Sequence, residues 1–308
     1  MQKENTSYIQ EIIKEPAPND EKIFGKKIHI DDSGQCGVNA TYKIQNNSLI
    51  ITGKGEINDY SNTSPPPWQS NKNQITSIVV SEGITSIGTF NFARFGNLIK
   101  INISDSVISI KDNAFYQCSS LTSINIPLKL ESIGNSSFED CNSLLSIELP
   151  ENCFIIGRRA FYHCASLVSI KLPENLTKIP EYCFSNCEKL NTLSIPSKVT
   201  KIERNAFENC ISLSRIEMKE GITEIKYQAF CRCNSLTSLF FPESLISIDN
   251  EICYNCKKLT TVYLPKNLSI ISNRAFCEDN LLSNISVPEN LTKIEEYAFY
   301  KCISLKSF

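Results

Sequence analysis

Hydrophobic residues recur along this chain at a fixed spacing of 23 residues from about residue 75 onward. Isoleucine holds one position in every repeat from Ile87 to Ile294, and leucine holds another from Leu98 to Leu305. No insertion interrupts the spacing. A fixed period of this length is typical of a repeat solenoid, in which each unit stacks on the next.

Within each repeat the phrase LxxIxIP predicts a strand. Ile124 and Ile126 alternate with polar neighbours, which indicates a strand with one buried face. Pro127 ends that strand, because proline cannot donate a hydrogen bond to the ladder. A second apolar pair, Leu130 and Ile133, comes next. The AFxxC segment that closes the repeat is too short for a regular helix, and we interpret it as a bend or a single helical turn.

Stacking is what gives such a repeat a core. One unit cannot bury its own apolar face, but stacked units bury leucine, isoleucine and phenylalanine in one column. Coils separated by about 4.8 Å, the distance between paired strands, would give a solenoid on the order of 50 Å long. The predicted fold class is therefore a repeat solenoid with a parallel β-sheet on its concave face.

Cysteine occupies a further fixed position, three residues after a phenylalanine. The members of this ladder are Cys118, Cys141, Cys164, Cys187, Cys210, Cys233, Cys256 and Cys302, and the missing step is Asp279. Stacking would place these thiols in a straight file, which does not converge on a zinc ion. Side chains in register also keep their Cβ atoms near or beyond the limit for a disulfide. We interpret the ladder as part of the core, since free cysteine packs as a small hydrophobe.

The other cysteines of the 14 are less uniform. Three occupy apolar positions of the repeat and are expected to be core: Cys153, Cys183 and Cys253. Cys231 and Cys277 share a position that elsewhere holds tyrosine, so we expect them to be partly exposed. The sequence does not decide the redox state of these two, nor that of Cys36 outside the repeats.

Three regions follow from this pattern. Residues 1–33 lack periodicity and are expected to be a flexible polar tail. Residues 34–74 are expected to cap the first coil, with ATYKI and SLIITG paired as a hairpin around Gln45–Asn47 and PPPW folded over the coil that begins at Ile75. Residues 75–308 form an array of about ten coils that ends within a repeat. Either the natural protein continues beyond this end, or the end pairs with another chain, because an unpaired strand edge is a liability.

Charge and hydropathy exclude some partners. The chain has 31 Lys+Arg against 33 Asp+Glu, for a formal net charge of -2. Such a balance gives no electrostatic reason to expect nucleic acid or an anionic membrane surface. No apolar run approaches the roughly 20 residues of a membrane-spanning helix. We therefore predict no membrane insertion. The N-terminal segment lacks the apolar stretch of a secretory signal, so either the chain is not exported by the usual signal route or its signal is missing from this sequence.

Catalytic signals are weak. The two histidines are His29, in the tail region, and His163, in an exposed position of the repeat. No GxSxG, P-loop, HExxH or GxGxxG context is present in the sequence, and each of these motifs carries a known mechanism. Since the cysteine ladder is assigned to the core, we predict that the protein is not an enzyme and holds no metal or cofactor.

The outward positions of the predicted strands are mostly small and polar, so the aromatic residues and their charged neighbours stand out. Phe240 and Tyr263 should lie side by side on adjacent strands, with Arg215 and Glu217 one strand away. Aromatic and arginine side chains dominate binding hot spots. The alternative is a cross-strand pair that only stabilises the sheet. These four are our candidate residues for binding a protein or glycan partner.

The repeats resemble a known family. The segments LTSINIPLKLESIGNSSFEDCNS and LVSIKLPENLTKIPEYCFSNCEK are similar to BspA-like leucine-rich repeats, and GQCGVNATYKI with PPPW is similar to the region that precedes them in many members. The resemblance covers about residues 34–308. It implies a leucine-rich-repeat horseshoe with short non-helical or single-turn convex segments and a small β N-terminal cap. It supplies no catalytic residues.

The resemblance also implies a role. Such proteins occur on bacteria and on mucosal parasitic protists as surface antigens implicated in adherence to host cells or matrix proteins. The expected function is therefore a surface antigen or adhesin, at the cell surface or secreted. The absence of a visible signal, and a thiol count suited to a reducing compartment, favour the alternative of a cytoplasmic scaffold for protein–protein interaction.

Overall fold

The structure, a computed structural model, describes residues 32–306. In this range the chain winds into stacked coils, and each coil contains two short strands and one turn segment. The 3₁₀ helix Gln69–Asn71 is the one helix in the described range. Most of the predicted tail, residues 1–33, and the last two residues of the array lie outside the described residues.

Three strands precede the repeats: β1 (Asp32–Gln35), β2 (Asn39–Gln45) and β3 (Ser48–Glu56). The predicted hairpin is present, because β2 and β3 pair antiparallel across a two-residue turn. Both turn residues, Asn46 and Asn47, have positive φ (49° and 63°). Asparagine is favoured in such tight hairpin turns.

The repeats form two files of parallel strands. The first file contains β4 (Ser77–Val80), β6 (Lys100–Ile103), β8 (Ser123–Ile124), β10 (Ser146–Glu148), β12 (Ser169–Lys171), β14 (Thr192–Ile195), β16 (Arg215–Met218), β18 (Ser238–Phe240), β20 (Thr261–Tyr263) and β22 (Asn284–Ser286). The second contains β5 (Ile84–Ile87), β7 (Ser109–Ile110), β9 (Ser132–Ile133), β11 (Ile155–Ile156), β13 (Lys178–Ile179), β15 (Lys201–Ile202), β17 (Glu224–Ile225), β19 (Ser247–Ile248), β21 (Ile270–Ile271) and β23 (Lys293–Ile294). Strand β3 pairs with both β4 and β5 and so starts both files.

Paired strands of the first file meet at equivalent residues, such as Ile147 with Ile170. Side chains alternate between the core and the outer face, as the period of a strand requires. The file is hydrogen-bonded in segments: β3–β4–β6–β8, β10–β12, β14–β16 and β18–β20–β22. Strands β16 and β18 lie next to each other, but no ladder of backbone hydrogen bonds joins them.

The AFxxC segment is a turn, and its backbone differs from the single helical turn that we considered. Two residues in each coil have positive φ, for example Asn113 (57°) and Gln117 (59°). This conformation costs residues other than glycine about 1–2 kcal/mol each. It aims N–H groups at the next coil: Asn113 donates to the carbonyl of Asn135 at 2.9 Å, and Gln117 donates to that of Glu139 at 2.8 Å. The strained conformation thus allows the turn to form its own hydrogen bonds with the next coil.

Phenylalanine rings form a stacked column through the core. Phe161 lies between Phe138 and Phe184, with ring centroids 5.4 and 5.6 Å away and planes within 4° of parallel. At the N-terminal end Trp68 extends the column: its ring stacks on Phe92 at 5.9 Å and is fully buried. The side chain of the predicted lid therefore covers the first coil.

An acidic file follows the first strands, immediately after the proline position of the repeat. Five of its seven acidic residues share one kind of contact: Asp105, Glu151, Glu174, Glu220 and Glu243. Each carboxylate accepts a hydrogen bond from the backbone N–H of the equivalent residue in the next coil, as Glu151 does from Glu174 at 2.9 Å. These bonds from Glu243 and Ser244 lower the pKa of Glu220. The acid thus serves as an intercoil acceptor.

We expect Phe161→Ala to destabilise the protein by about 3–5 kcal/mol, because it opens a cavity in the column. Chemical denaturation would measure the change. Phe154→Ala is the matched control: Phe154 lies seven residues away, and about half of its surface is exposed. Such surface substitutions change stability by about 0.5 kcal/mol or less. Equal effects of the two substitutions would contradict the role of the column.

Candidate binding surface

The thiols of the cysteine ladder are buried and act as hydrogen-bond donors. Each Sγ lies 3.0–3.3 Å from the carbonyl oxygen of the phenylalanine 26 residues earlier, as Cys164 does from Phe138. Packing as a small hydrophobe therefore describes only part of the role of these cysteines. The thiol also supplies a weak donor that an alanine or valine would lack.

Burial makes these thiols poor nucleophiles. It raises the pKa of Cys118 to about 12 and that of Cys164 well above its ordinary value. A reactive cysteine needs the opposite, a lowered pKa that favours the thiolate. His163 beside Cys164 is half exposed, and its Nδ1 lies 2.6 Å from Oδ1 of Asp140. The histidine thus pairs with a surface carboxylate, and the neighbouring thiol bonds to the core backbone.

The expectation of partial exposure for Cys231 and Cys277 is wrong. Both are free and buried, with 2% and 4% of their surface exposed. Their position holds tyrosine in other coils, and those rings are long enough to reach the solvent. The short cysteine side chain ends beneath the surface. Cys36 is also free and is fully buried.

Asp279 replaces cysteine in the ladder and leaves a polar atom unpartnered. The side chain is fully buried. Its Oδ1 accepts a hydrogen bond from the Cys256 N–H at 2.6 Å, whereas Oδ2 has no partner among the described residues. Burial is the main cause that raises the pKa of this carboxyl well above its ordinary value. Asp279 is thus a local weak point of the core.

The structure brings the candidate residues Phe240 and Tyr263 together on the outer face of the first file. They are directly opposed on β18 and β20. Their rings stack with centroids 4.6 Å apart and planes within 9°. Even when stacked they keep 55% and 47% of their surface exposed. Two large aromatic side chains therefore form one solvent-exposed patch.

Arg215 and Glu217 lie next to this patch, on β16. With Phe240 they line a cleft of about 410 Å³ whose other lining residues are Ser214, Ile216, Met218, Thr237 and Ser238. Tyr263 does not line it. Neither Arg215 nor Glu217 has a side-chain hydrogen bond or an ion pair within residues 32–306. Both charges are therefore available to a ligand.

A second cleft, of about 750 Å³, lies along the second file and was not predicted from the sequence. Arg158 and Arg204 flank Glu181 there, and both guanidinium groups pair with that one carboxylate. Each arginine also lies within 6 Å of the Tyr182 ring. These three charges already have partners within the protein, and no stacked pair of exposed aromatic rings lines the cleft, so it is a weaker candidate for ligand binding. The sequence signal was the recurrence of charge at 23-residue spacing.

Two further features bear on the kind of site. Residues 32–306 contain no helix that is long and apolar enough to cross a bilayer. In the same range no group of three or more His, Cys, Asp or Glu side chains is arranged to hold a metal ion. His29 lies outside the described residues.

Comparison with known proteins places the repeats in context. Residues 69–191 and 177–306 match the family described as "BspA type Leucine rich repeat region (6 copies)". No curated protein matches the sequence.

Solved structures share the fold at low identity. A leucine-rich repeat protein from Bacteroides ovatus is 23% identical, with a TM-score of 0.69 over 88% of this chain and 80% of that one. A leucine-rich repeat protein from Eubacterium ventriosum is 22% identical, with a TM-score of 0.52 over 90% of each chain. The pneumococcal vaccine antigen PcpA is 20% identical, with a TM-score of 0.57 over 90% of this chain and 75% of that one. At this identity the likeness shows a common fold.

The thiols give one prediction. We expect an aromatic disulfide reagent at pH 8 to modify fewer than one cysteine in the native protein, because the thiols are buried and largely protonated. All 14 cysteines should react after denaturation. Rapid labelling of two or more sites in the native state would contradict this arrangement, and mass spectrometry of the labelled peptides would identify them.

Asp279 gives a second prediction. Its pKa is raised in the folded state, so the unfolded chain loses this proton first, and the free energy of unfolding falls as pH rises above about 4. We expect Asp279→Cys to stabilise the protein at pH 7 by about 1–3 kcal/mol, the cost of an unpartnered buried polar group. The gain should shrink toward pH 4.

Chemical denaturation of the wild type and of Asp279→Cys between pH 4 and pH 7 would measure the effect. Glu217→Gln is the control, since it removes an exposed carboxyl that has no ion pair within residues 32–306 and should change stability by about 0.5 kcal/mol or less. Parallel pH profiles for the wild type and Asp279→Cys would show that Asp279 does not carry the cost.

Proposed function

Because this chain belongs to the BspA-type leucine-rich repeat family, we propose that it is a non-enzymatic binding protein that presents the outer face of its first strand file to a protein or glycan. In this proposal the protein is a surface antigen or adhesin, located at the cell surface or secreted. Repeat solenoids commonly bind partners along such extended faces.

The exposed pair of Phe240 and Tyr263 is the observation that carries the proposal. Isolated apolar residues on a surface need no explanation, but here two aromatic rings form one patch beside an unpaired Arg215 and Glu217. Aromatic and arginine side chains are the residue types enriched in hot spots. A pair that served only to stabilise the sheet would not require unpaired charges at its edge.

The chemistry of the core supports a non-enzymatic role. The ladder thiols bond to backbone carbonyls and have raised pKa values. His163 lies on the surface with a carboxylate partner. The thiols therefore stabilise the coils, and His163 faces the solvent. The groups on the outer face of the first file remain the candidates for contact with a partner.

The surface location is the part of the proposal that cell biology must test. PcpA, which shares the fold, is named as a vaccine antigen, and that description belongs to PcpA. Antibody staining of intact source cells, with a cytosolic protein as leakage control, decides the location. Staining of intact cells supports an antigen or adhesin. Staining only after permeabilisation would overturn it and favour the cytoplasmic scaffold.

We expect the double substitution Phe240→Ala with Tyr263→Ala to lower binding to host cells at least tenfold, since hot-spot truncations cost about 2 kcal/mol or more. The melting temperature should change little, because both side chains are exposed. Binding of labelled protein to intact cells would be measured by flow cytometry.

Tyr297→Ala with Tyr300→Ala is the matched control for that experiment. This pair is also exposed, with ring centroids 5.7 Å apart, but it lies outside the first file. Equal binding by the wild type and the Phe240/Tyr263 variant would remove the patch as the binding surface.

A further inference from the structure

The cleft between β16 and β18 opens at an interruption of the first file. The two strands are neighbours, but the ladder breaks between β14–β16 and β18–β20–β22. Where strands of the file are paired, their backbone N–H and C=O groups form hydrogen bonds with each other. At this interruption, strand backbone and the polar side chains of Ser214, Thr237 and Ser238 border one cleft.

The Arg215 and Glu217 side chains of this cleft differ from the charged pairs that face each other in two other clefts. A cleft of about 490 Å³ at β8 and β10 contains Glu148 and Lys171, which pair with each other at 2.8 Å. In the cleft of the second file, Arg158 and Arg204 pair with Glu181. Arg215 and Glu217 instead remain unpaired within residues 32–306. One donor group and one acceptor group are therefore unused at the edge of this cleft.

The Phe240 ring supplies an apolar wall. Tyr263 covers one of its faces in a near-parallel stack. The cleft lies on the side of β16, where Phe240 contributes to the lining and Tyr263 does not. The free face of an aromatic ring is electron-rich, because the ring quadrupole is negative there. The cleft thus combines one flat apolar wall with a polar edge.

We propose that this cleft binds a single pyranose ring of a neutral glycan. The inference rests on the proposed function and names the ligand class for that surface. A pyranose has a face of positively polarised C–H bonds, which suits the Phe240 ring, and a rim of hydroxyl groups. Glu217 accepts hydrogen bonds from those hydroxyls, and Arg215 donates to them. The volume of about 410 Å³ falls within the range of small-ligand pockets.

A sugar suits this arrangement better than an apolar peptide side chain. The buried centre of a protein–protein interface is depleted in charged residues, whereas this cleft places a carboxylate and a guanidinium beside its aromatic wall. An apolar side chain in the cleft would remove both charges from water without pairing them, which is costly. Hydroxyl groups supply partners to both.

The probe is a panel of immobilised neutral oligosaccharides ending in galactose, glucose, mannose or N-acetylglucosamine, with binding followed by biolayer interferometry. We expect the wild type to bind at least one of them with millimolar or better affinity. Phe240→Ala and Glu217→Gln should each weaken this binding about tenfold. Tyr263→Ala should keep it within about threefold, because Tyr263 lies outside the cleft.

The melting temperatures of all variants should match that of the wild type, so that lost binding reflects the cleft. Absence of binding to every oligosaccharide would overturn the proposal. So would binding that Phe240→Ala leaves intact, or that Tyr263→Ala weakens as much as Phe240→Ala does.

Periodate oxidation of host cells distinguishes the glycan inference from the proposed binding function, because periodate cleaves the vicinal diols of sugars. If cell binding requires Phe240 and Tyr263 but survives oxidation, the glycan inference fails and the binding function stands. If binding does not depend on the patch at all, both fail. Loss of patch-dependent binding after oxidation supports both.

Discussion

Each coil depends on the next for the hydrogen bonds that it cannot make within itself. The two strands of a repeat pair with strands of neighbouring coils and not with each other. Its strands, its turn and even its ladder thiols therefore find their partners 22–26 residues away. Buried backbone groups without partners are expensive, so this dependence fixes the spacing. An inserted residue would displace all of these contacts at once.

The sequence was sufficient to predict the parts of the fold that recur in every coil. Ile133 and Leu144 recur because the same side chain packs on itself in every coil, so their periodicity predicts stacked strands. The hairpin turn at Asn46 and Asn47 was also predictable, because asparagine tolerates positive φ. The exposed pair of Phe240 and Tyr263 followed from the same spacing.

Other features were beyond the sequence because they depend on backbone geometry. The left-handed residues of the turn include Arg159 and Tyr182, residue types that give no sign of this conformation. The donor role of the thiols depends on where the preceding carbonyl lies. The interruption between β16 and β18 has no marker in the repeat phrase. Cys231 was misjudged because its position was inferred from longer tyrosine side chains.

The intercoil bonds also determine how the molecule would respond to a pulling force. Contacts that join successive coils are arranged in series, so tension applied across the stack is borne in full by every interface. The interface where Asp279 replaces a thiol would then yield before its neighbours. Each coil that detaches would release 23 residues, or about 80 Å of extended chain. A partner held by the first strand file would thus be attached to a stepwise-extensible tether.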